Sequence, residues 1–581
     1  MLLLVLPGLP LLLAGALIIA RSRHLALILA PWIALPALLI ALFSSPGLTL
    51  ELPWLLLGTH FSLDETGRFF LLFSAFIWLC AGVYSCAYFA DQAVRRRFLI
   101  WFLFAMSGNL GLIISHDLVS YYTFFALMSF ASYGLVIFEP NAQTIRAGRI
   151  YLIMVIVGEL MLFSGFVMAA MLTGSHEFAV LRPALASVEL QHWIIGLIVF
   201  GFGVKSALLG LHIWLPLAYP AAPSPASAVL SGAMISAGFL GWLRILPLGE
   251  ISLPGWGSLL LLMGSVSVIY ALLVGLLQND PKKVLAYSSV GKMGLLTILF
   301  GLGMIAPQHW PQIMISILFF SLYHGLAKGA LFLGEGLYAK LSAERVRQRY
   351  WALLGLLLPA LSLAGAPLTS GMMAKKMLSL QIASVDSFWD EGLSLVLILS
   401  SLSASLLMLH FLFLLWSERS KSRTDSQSPT QSACQSDTLW MWLAWLLLLA
   451  AVALTSRFPP IELNASLSSS EIPGALWPPL VAFILIAFYH WRFPQLFRLQ
   501  FDGLIHIEKR VSLVLRAISS FSMTILPQWS ALSVSVFNGI LVKERYSLIL
   551  SKMEQQLRQW SMALSLLLLL AFVMAAAICS F

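Results

Sequence analysis

Charge is what this sequence has least of. Only 10% of its 581 residues are Asp, Glu, Lys or Arg, where an ordinary soluble domain carries about 25%. Hydrophobic residues make up 60%. That balance excludes a soluble enzyme and points to an integral membrane protein. The net charge of +9 does not argue for nucleic acid, because the basic residues are scattered over many short loops. Cysteine is scarce too. Cys80, Cys86, Cys434 and Cys579 have neither metal nor redox spacing, and Cys80 and Cys86 read as small core residues of one apolar segment. There is no CxxC pair, no His-rich metal motif and no Gly-rich phosphate loop, so no cofactor is expected.

What the chain has in abundance is long apolar runs. A membrane span needs about 20 apolar residues. By that measure about sixteen helices are expected, near 2–20, 24–45, 68–90, 98–115, 118–138, 149–173, 192–216, 225–247, 256–278, 284–304, 311–337, 351–381, 391–416, 439–455, 474–491 and 561–580. The first has no basic start and is followed by Arg21 and Arg23, so it reads as a membrane helix rather than a cleaved signal. The fold class is therefore an all-α polytopic membrane protein.

Alternate loops divide by charge. One set holds Arg21 and Arg23, then Arg95 to Arg97, Arg146 and Arg149, Lys282 and Lys283, Lys340 to Arg349, and Arg419 to Arg423. The other set holds little basic charge beyond Arg182 and Arg457 but carries Glu51, Asp64, Glu177, Glu250 and Asp390, among others. By the positive-inside rule the basic set faces the cytoplasm. This places both termini on the non-cytoplasmic side and leaves 492–560 inside.

Two spans are interrupted. In the first, Lys205 is followed by Pro216, Pro220, Pro223 and Pro225. In the second, LLPALSLAGAPLTSGMMAKKML places Pro359 and Pro367 ahead of Lys375 and Lys376. An interrupted helix frees backbone groups that lipid cannot satisfy, so it must face protein or a water-filled cavity. Helices four to eight and nine to thirteen each hold one such segment, in fourth place. An odd number of spans per copy predicts two inverted five-helix repeats, with the broken helices marking a transport path. The expected division is 1–97, N-terminal helices; 98–247 and 248–416, the two repeats; 417–438, a polar Ser/Gln-rich linker; 439–491, two further helices; 492–560, a lateral segment; and 561–581, a closing anchor. In 492–560, Val511, Leu513, Val514 and Ile518 share a helical face while Lys509, Arg510 and Arg516 lie on others. That is the makeup of an amphipathic helix lying along the membrane plane.

A bare ammonium at mid-bilayer costs about 3 kcal/mol on insertion scales, so ionisable groups inside spans are functional candidates. They are Glu159, Lys205, Lys292, His324, Lys328 and Lys375. His324 and Lys328 are one turn apart and share a face. Lysine suits proton relay because burial and a carboxylate partner move its proton affinity widely. The set predicts a hydrophilic axis through the membrane. His410, alone on its helix, reads as a satisfied core histidine, and Glu335 as interfacial near Lys340.

HIWLPLAYPAAPSPASAVLSGAMI (212–235), LQNDPKKVLAYSSVGKMG (277–294) and LYHGLAKGALFLGEGLY (322–338) occur in order. Across about residues 60–415 they resemble the antiporter-like, proton-translocating subunits of complex I, of Mrp-type cation/proton antiporters and of membrane-bound [NiFe] hydrogenases. The wording is most like that of the large membrane subunit of hydrogenase-4 and formate hydrogenlyase. The resemblance implies fourteen core helices, two inverted repeats and, as in the largest complex I member, a lateral helix. It places Lys205, Lys328 with His324, and Lys375 on the family's lysine and histidine positions, and Lys292 where relatives often have His or another polar residue. It also exposes two departures. Where relatives carry a glutamate in a stretch like WELMSLSSY, this chain reads FALMSFASY, with Ala126. Where they carry Lys or His on the eighth helix, it has Ser236. Glu159 is the candidate to replace the lost carboxylate.

The expected function is proton or cation/proton translocation within a multi-subunit membrane assembly. Its partners would be other membrane subunits contacted through 492–560, lipid, and peripheral redox subunits, with no nucleic acid. Electron transfer would belong to those partners. Two alternatives stand beside it: a scaffold or coupling subunit whose first half-channel is degenerate, and the membrane module of an ion-energised uptake system with a soluble partner.

Overall fold

Apolar runs that meet lipid must satisfy their backbone internally, which leaves helix as the available structure. The computed structural model describes residues 1–19, 22–188, 190–341, 345–385, 389–421, 438–457 and 472–492, and these are helical almost throughout. The chain divides into two compact units, Met1–Phe488 and Tyr489–Phe581. The first is the helical body described below. Of the predicted lateral segment 492–560 only Arg492 is described; the closing helix 561–580 and most of the linker 417–438 lie outside the described residues.

The body begins with α1 (Val5–Ile18), α2 (Arg23–Leu29) and α3 (Leu35–Phe43), the last two separated by a tight turn around Pro31 within one predicted span. A two-stranded antiparallel hairpin follows, β1 (Leu48–Leu52) on β2 (Thr59–Leu63), with Leu50 opposite Phe61. Then come α4 (Glu65–Tyr88), α5 (Gln92–Ile114), α6 (Leu118–Val136), α7 (Ala142–Thr173), the short α8 (Phe178–Ala184), α9 (Gln191–Lys205), α10 (Leu215–Ala221), α11 (Ser224–Val229) and α12 (Ser236–Ile245). Five residues of π-helix, Leu230–Met234, join α11 to α12. The second half runs through α13 (Pro254–Leu276), α14 (Pro281–Ile305), α15 (Trp310–Lys340), α16 (Val346–Ala364), α17 (Ser370–Ser384) and α18 (Asp390–Lys421), and α19 (Leu439–Thr455) and α20 (Ile472–Arg492) follow.

Helix occupies most of each of the first fifteen predicted spans, with 192–216 and 351–381 each divided by a break, and ten helices among the described residues are long and apolar enough to cross a membrane. Their starts are written locally. Asp64, Asp91, Asp117, Asn141, Asp280 and Thr369 each cap a helix by accepting from a backbone N–H of its first turn, worth about 1 kcal/mol apiece. Outer helices keep large apolar side chains exposed. On α7 these include Ile153, Ile156, Val157, Leu160, Val167 and Met171, a stripe suited to lipid.

Packing in the two halves corresponds. α5 pairs with α6 as α13 pairs with α14. α7 packs on both α9 and α10 as α15 packs on both α16 and α17. The first interruption differs from the expectation. The helix ends at Lys205 itself, and the break is Ser206–Leu211, with Ala207 at φ 57° and Gly210 at φ 86°. Pro216 sits in the first turn of α10, where a missing N–H is harmless; the proline marks the restart rather than the break. The second interruption is the turn from Gly365 to Thr369, which contains Pro367.

The core is organised around α12 and α15. Every residue of α12 is buried. α15 touches α4, α11, α14, α16, α17 and α19. Where the π-helical turn meets α15, Gly232 faces Gly325. A Cβ on either would stand 2.8 Å from the other's carbonyl oxygen, so only glycine allows this approach, one residue from His324.

Candidate functional site

The first group of buried ions depends on the contact between α7 and α9. Gly158 lies against the Gly201 carbonyl and Val204, and this brings the next residue, Glu159, to the end of α9, where Lys205 stands. Glu159 and Lys205 are both buried. They line one small cavity with Phe125, Ser129, Tyr151 and Trp214, with room for about one water. The Lys205 ammonium donates to the Tyr151 hydroxyl at 3.3 Å and lies 5.7 and 5.9 Å from the Tyr151 and Trp214 ring centres. Tyr151 in turn donates to the Ser129 carbonyl. Among the described residues neither carboxylate oxygen of Glu159 has a hydrogen-bond partner, and the acid lines the cavity beside Ser129.

Ala126 is buried on α6 and is not part of the lining, but its neighbours Phe125 and Ser129 are. Ser236 gives its hydroxyl to its own helix, at 2.6 Å from the Ala233 carbonyl.

The second group forms a ladder between α14 and α15. Lys328 is fully buried and donates to the Leu285 carbonyl at 2.7 Å and to the Ser288 hydroxyl. Ser288 also lines a second small cavity with Lys292, Ser400 and Ser403. Lys292 lies within electrostatic reach of Lys328, His324 and Lys375. His324 is buried and its Nε2 has no partner among the described residues. Lys375, on α17 after the second break, is half-buried. The six predicted residues therefore gather as two groups, Glu159 with Lys205, and Lys292 with His324, Lys328 and Lys375. Between them runs an aromatic series. Trp214, beside Lys205, meets Tyr219 edge-on at 6.0 Å, and Tyr219 meets Phe332 at 5.5 Å. Phe332 is one turn from Lys328.

His410 is buried with Nε2 2.8 Å from the Gln278 carbonyl, as expected of a core histidine. Glu335 pairs with Lys282 at 3.8 Å. Tyr151, Ser129, Ser288 and Ser403 were not singled out from sequence; the signal available was the run of serines in otherwise apolar helices, YSSVGK and SSLSAS.

A third ionic cluster lies at the opposite end from Lys282. Arg244, closing α12, makes two bonds of 2.5 and 2.7 Å to the Asp64 carboxylate. His116 Nε2 is 3.7 Å from Asp64. Burial works against the Asp64 charge, but the Arg244 guanidinium and His116 hold the carboxyl well below the usual carboxylate range. Burial first, then Arg244, keeps His116 below its ordinary value.

Residues 115–403 match the family described as NADH:quinone oxidoreductase/Mrp antiporter, TM, and both groups of buried ions lie inside that stretch. The chain belongs to the antiporter-like membrane subunits. Among curated proteins, Hydrogenase-4 component B of Escherichia coli K12 is 31% identical over 47% of this chain and 42% of its own length. A putative antiporter subunit mnhA2 of Staphylococcus saprophyticus is 29% identical over 65% of this chain and 51% of its own. The chain thus spans about half the length, or less, of these relatives. Two solved assemblies share the fold of this antiporter-like subunit. A chain of the Mrp complex from Dietzia aligns over 90% of this chain and 63% of its own with TM-score 0.63 and 18% identity. A chain of the membrane-bound sulfane sulfur reductase, an archaeal respiratory membrane complex, aligns over 79% and 94% with TM-score 0.62 and 19% identity.

Proposed function

We propose that this antiporter-like subunit translocates protons, alone or against a cation, through two half-channels. The first is built on Glu159 and Lys205, the second on Lys292, His324, Lys328 and Lys375. The observation that carries the reading is the shared cavity of Glu159 and Lys205. A buried acid and a buried amine, on two separate helices, line the same space. One proton can then be held by either group, and water in the cavity passes it between them. The broken end of α9 at Lys205 supplies the local freedom for the amine to move. Glu159 stands in for the carboxylate that Ala126 lacks.

In this reading the two packed halves are inverted repeats within an array of sixteen spans, and the basic loops face the cytoplasm of a bacterium. The names of the relatives support a place within a multi-subunit membrane assembly. Other membrane subunits are contacted through 492–560, and any electron transfer belongs to peripheral redox subunits. The test is proton flux in proteoliposomes holding Lys205→Ala or Lys328→Ala. Unchanged flux in both variants removes the reading. Ala126 and the self-bonded Ser236 favour a second one, a scaffold whose first half-channel is silent. It predicts that Lys205→Ala alone leaves flux intact, while removal of 492–560 abolishes assembly.

A further inference from the structure

The ladder between α14 and α15 has a lower rung that the two half-channels leave unused. Seven residues beyond Lys328 on the same face of α15 stands Glu335, about 10 Å along the axis. Its side chain is only 12% exposed, and that of its partner Lys282 14%. Lys282 opens α14, one turn below Leu285, which accepts from Lys328. Reading inward from the basic loops, the rungs are Glu335 with Lys282, then Lys328 with Leu285 and Ser288, then His324 with Lys292.

The rung is also fixed to the first half. Lys282 donates to the Ala222 carbonyl at 3.1 Å, and Ser224 donates to Glu335 Oε2 at 3.2 Å. Ala222 and Ser224 flank Pro223, the joint between α10 and α11. Gly336 makes the approach possible, because a Cβ there would stand 2.4 Å from the Ser224 Cβ and 2.9 Å from the Tyr84 hydroxyl. A carboxylate held by a lysine and a serine, slightly exposed, five residues from the end of α15 and on the same helix face as a fully buried lysine, has the makeup of a proton acceptor at a channel mouth.

We infer that Glu335 is the proton-entry group of the second half-channel, an inference that rests on the translocation reading above. The Glu335 carboxylate takes a proton from water at the basic end and becomes the neutral acid. Lys282 keeps its charge and its bond to Ala222. The acid then gives that proton through a short file of waters to the neutral amine of Lys328, which becomes an ammonium held by Ser288, and Glu335 returns to carboxylate. No other reactant is consumed.

The experiment uses the full chain, purified with the membrane subunits that accompany it, in proteoliposomes under an imposed pH gradient. Glu335→Gln keeps the shape and an acceptor for Ser224 but cannot carry the proton. Flux should fall by about tenfold or more, Glu335→Asp should retain more of it, and formate or azide should restore the Gln variant by delivering protons as small weak acids. The same acids should do nothing for Lys328→Ala vesicles, which controls for leakage through lipid. An unchanged rate in Glu335→Gln, with flux lost in Lys328→Ala, overturns this inference and leaves the translocation reading standing. A fall that weak acids do not reverse also overturns it, since that is the signature of a brace at the Pro223 joint. If Lys328→Ala leaves flux unchanged as well, it is the translocation reading of the second half that fails.

Discussion

The amine of Lys328 donates to the hydroxyl of Ser288, and Ser288 also stands in the wall of the cavity of Lys292. One serine thus bonds the Lys328 amine and shares a cavity wall with Lys292. Ser288→Ala removes that link without altering the helix, and the Leu285 carbonyl remains as a partner for Lys328. A hydrogen bond to a charged group is worth about 1.5–3 kcal/mol. Proton flux should therefore fall by about tenfold or more, whereas Ser289→Ala, whose hydroxyl bonds to its own helix at Leu285, should leave it within about twofold. Flux in proteoliposomes from the two variants, side by side, decides the point.

Glu159 and Lys205 form the other buried pair. Glu159→Gln leaves the amine alone in its cavity and should lower flux by about tenfold or more. The informative variant is Ala126→Glu combined with Glu159→Gln. Ala126 lies on α6 between Phe125 and Ser129, both in the cavity wall, so a carboxylate there can reach the same space. Partial recovery of flux is expected; if the double variant is as slow as the single, the two positions do not serve one site.

Close backbone contact between Gly232 and Gly325 sets the position of His324. Gly232→Ala places a methyl 2.8 Å from the Gly325 carbonyl oxygen and 3.0 Å from Ile77 Cδ1. Overpacking of this kind costs about 1–3 kcal/mol. A lowered unfolding temperature in detergent is expected, together with reduced flux, because α15 must move away from the π-helical turn.

The Asp64 cluster predicts how stability depends on pH. Asp64 has its carboxyl pulled down in the folded state, so its contribution is complete above about pH 4, the unfolded value, and is lost only as pH falls through the lower folded value. His116 is held neutral by burial and by Arg244, while the unfolded chain protonates it near pH 6.5. The unfolded state therefore binds more protons, and stability falls as pH drops below about 6.5. Thermal unfolding between pH 7 and 5 should show this decline, and His116→Asn should flatten it. Asp64→Asn should destabilise at neutral pH by about 2 kcal/mol, less than a fully buried pair because Asp64 is partly exposed.

Lys205, Lys292 and Lys328 were legible from sequence because an ammonium in an apolar run is costly enough to need a reason. Their polar surroundings were not. Serine in a membrane helix commonly bonds to its own backbone, as Ser400 does to Leu397 and Ser288 to Leu285, and nothing in the sequence shows that Ser288 also accepts from Lys328. The pairing of Asp64 with Arg244 joins residues 180 apart, beyond any local pattern. The hairpin β1–β2 was hidden because its short alternation, LTLEL, lies between spans whose hydrophobicity dominates any window. The prolines after Lys205 point to a break at Pro216, yet proline at a helix start costs nothing, and the chain turns earlier, at Ala207.

The π-helical turn at Leu230–Met234 has a consequence for inheritance as well as for shape. Such a turn is an α-helix with one residue too many. The helix on either side of it is therefore out of phase, Ser224 aligned to Glu335 at one end and Arg244 to Asp64 at the other. Loss of a single codon there would turn everything beyond it by about 100° and swing Arg244 off its acid. A frame-preserving deletion of one residue, usually mild in a loop, would here disconnect the two ends of the membrane domain.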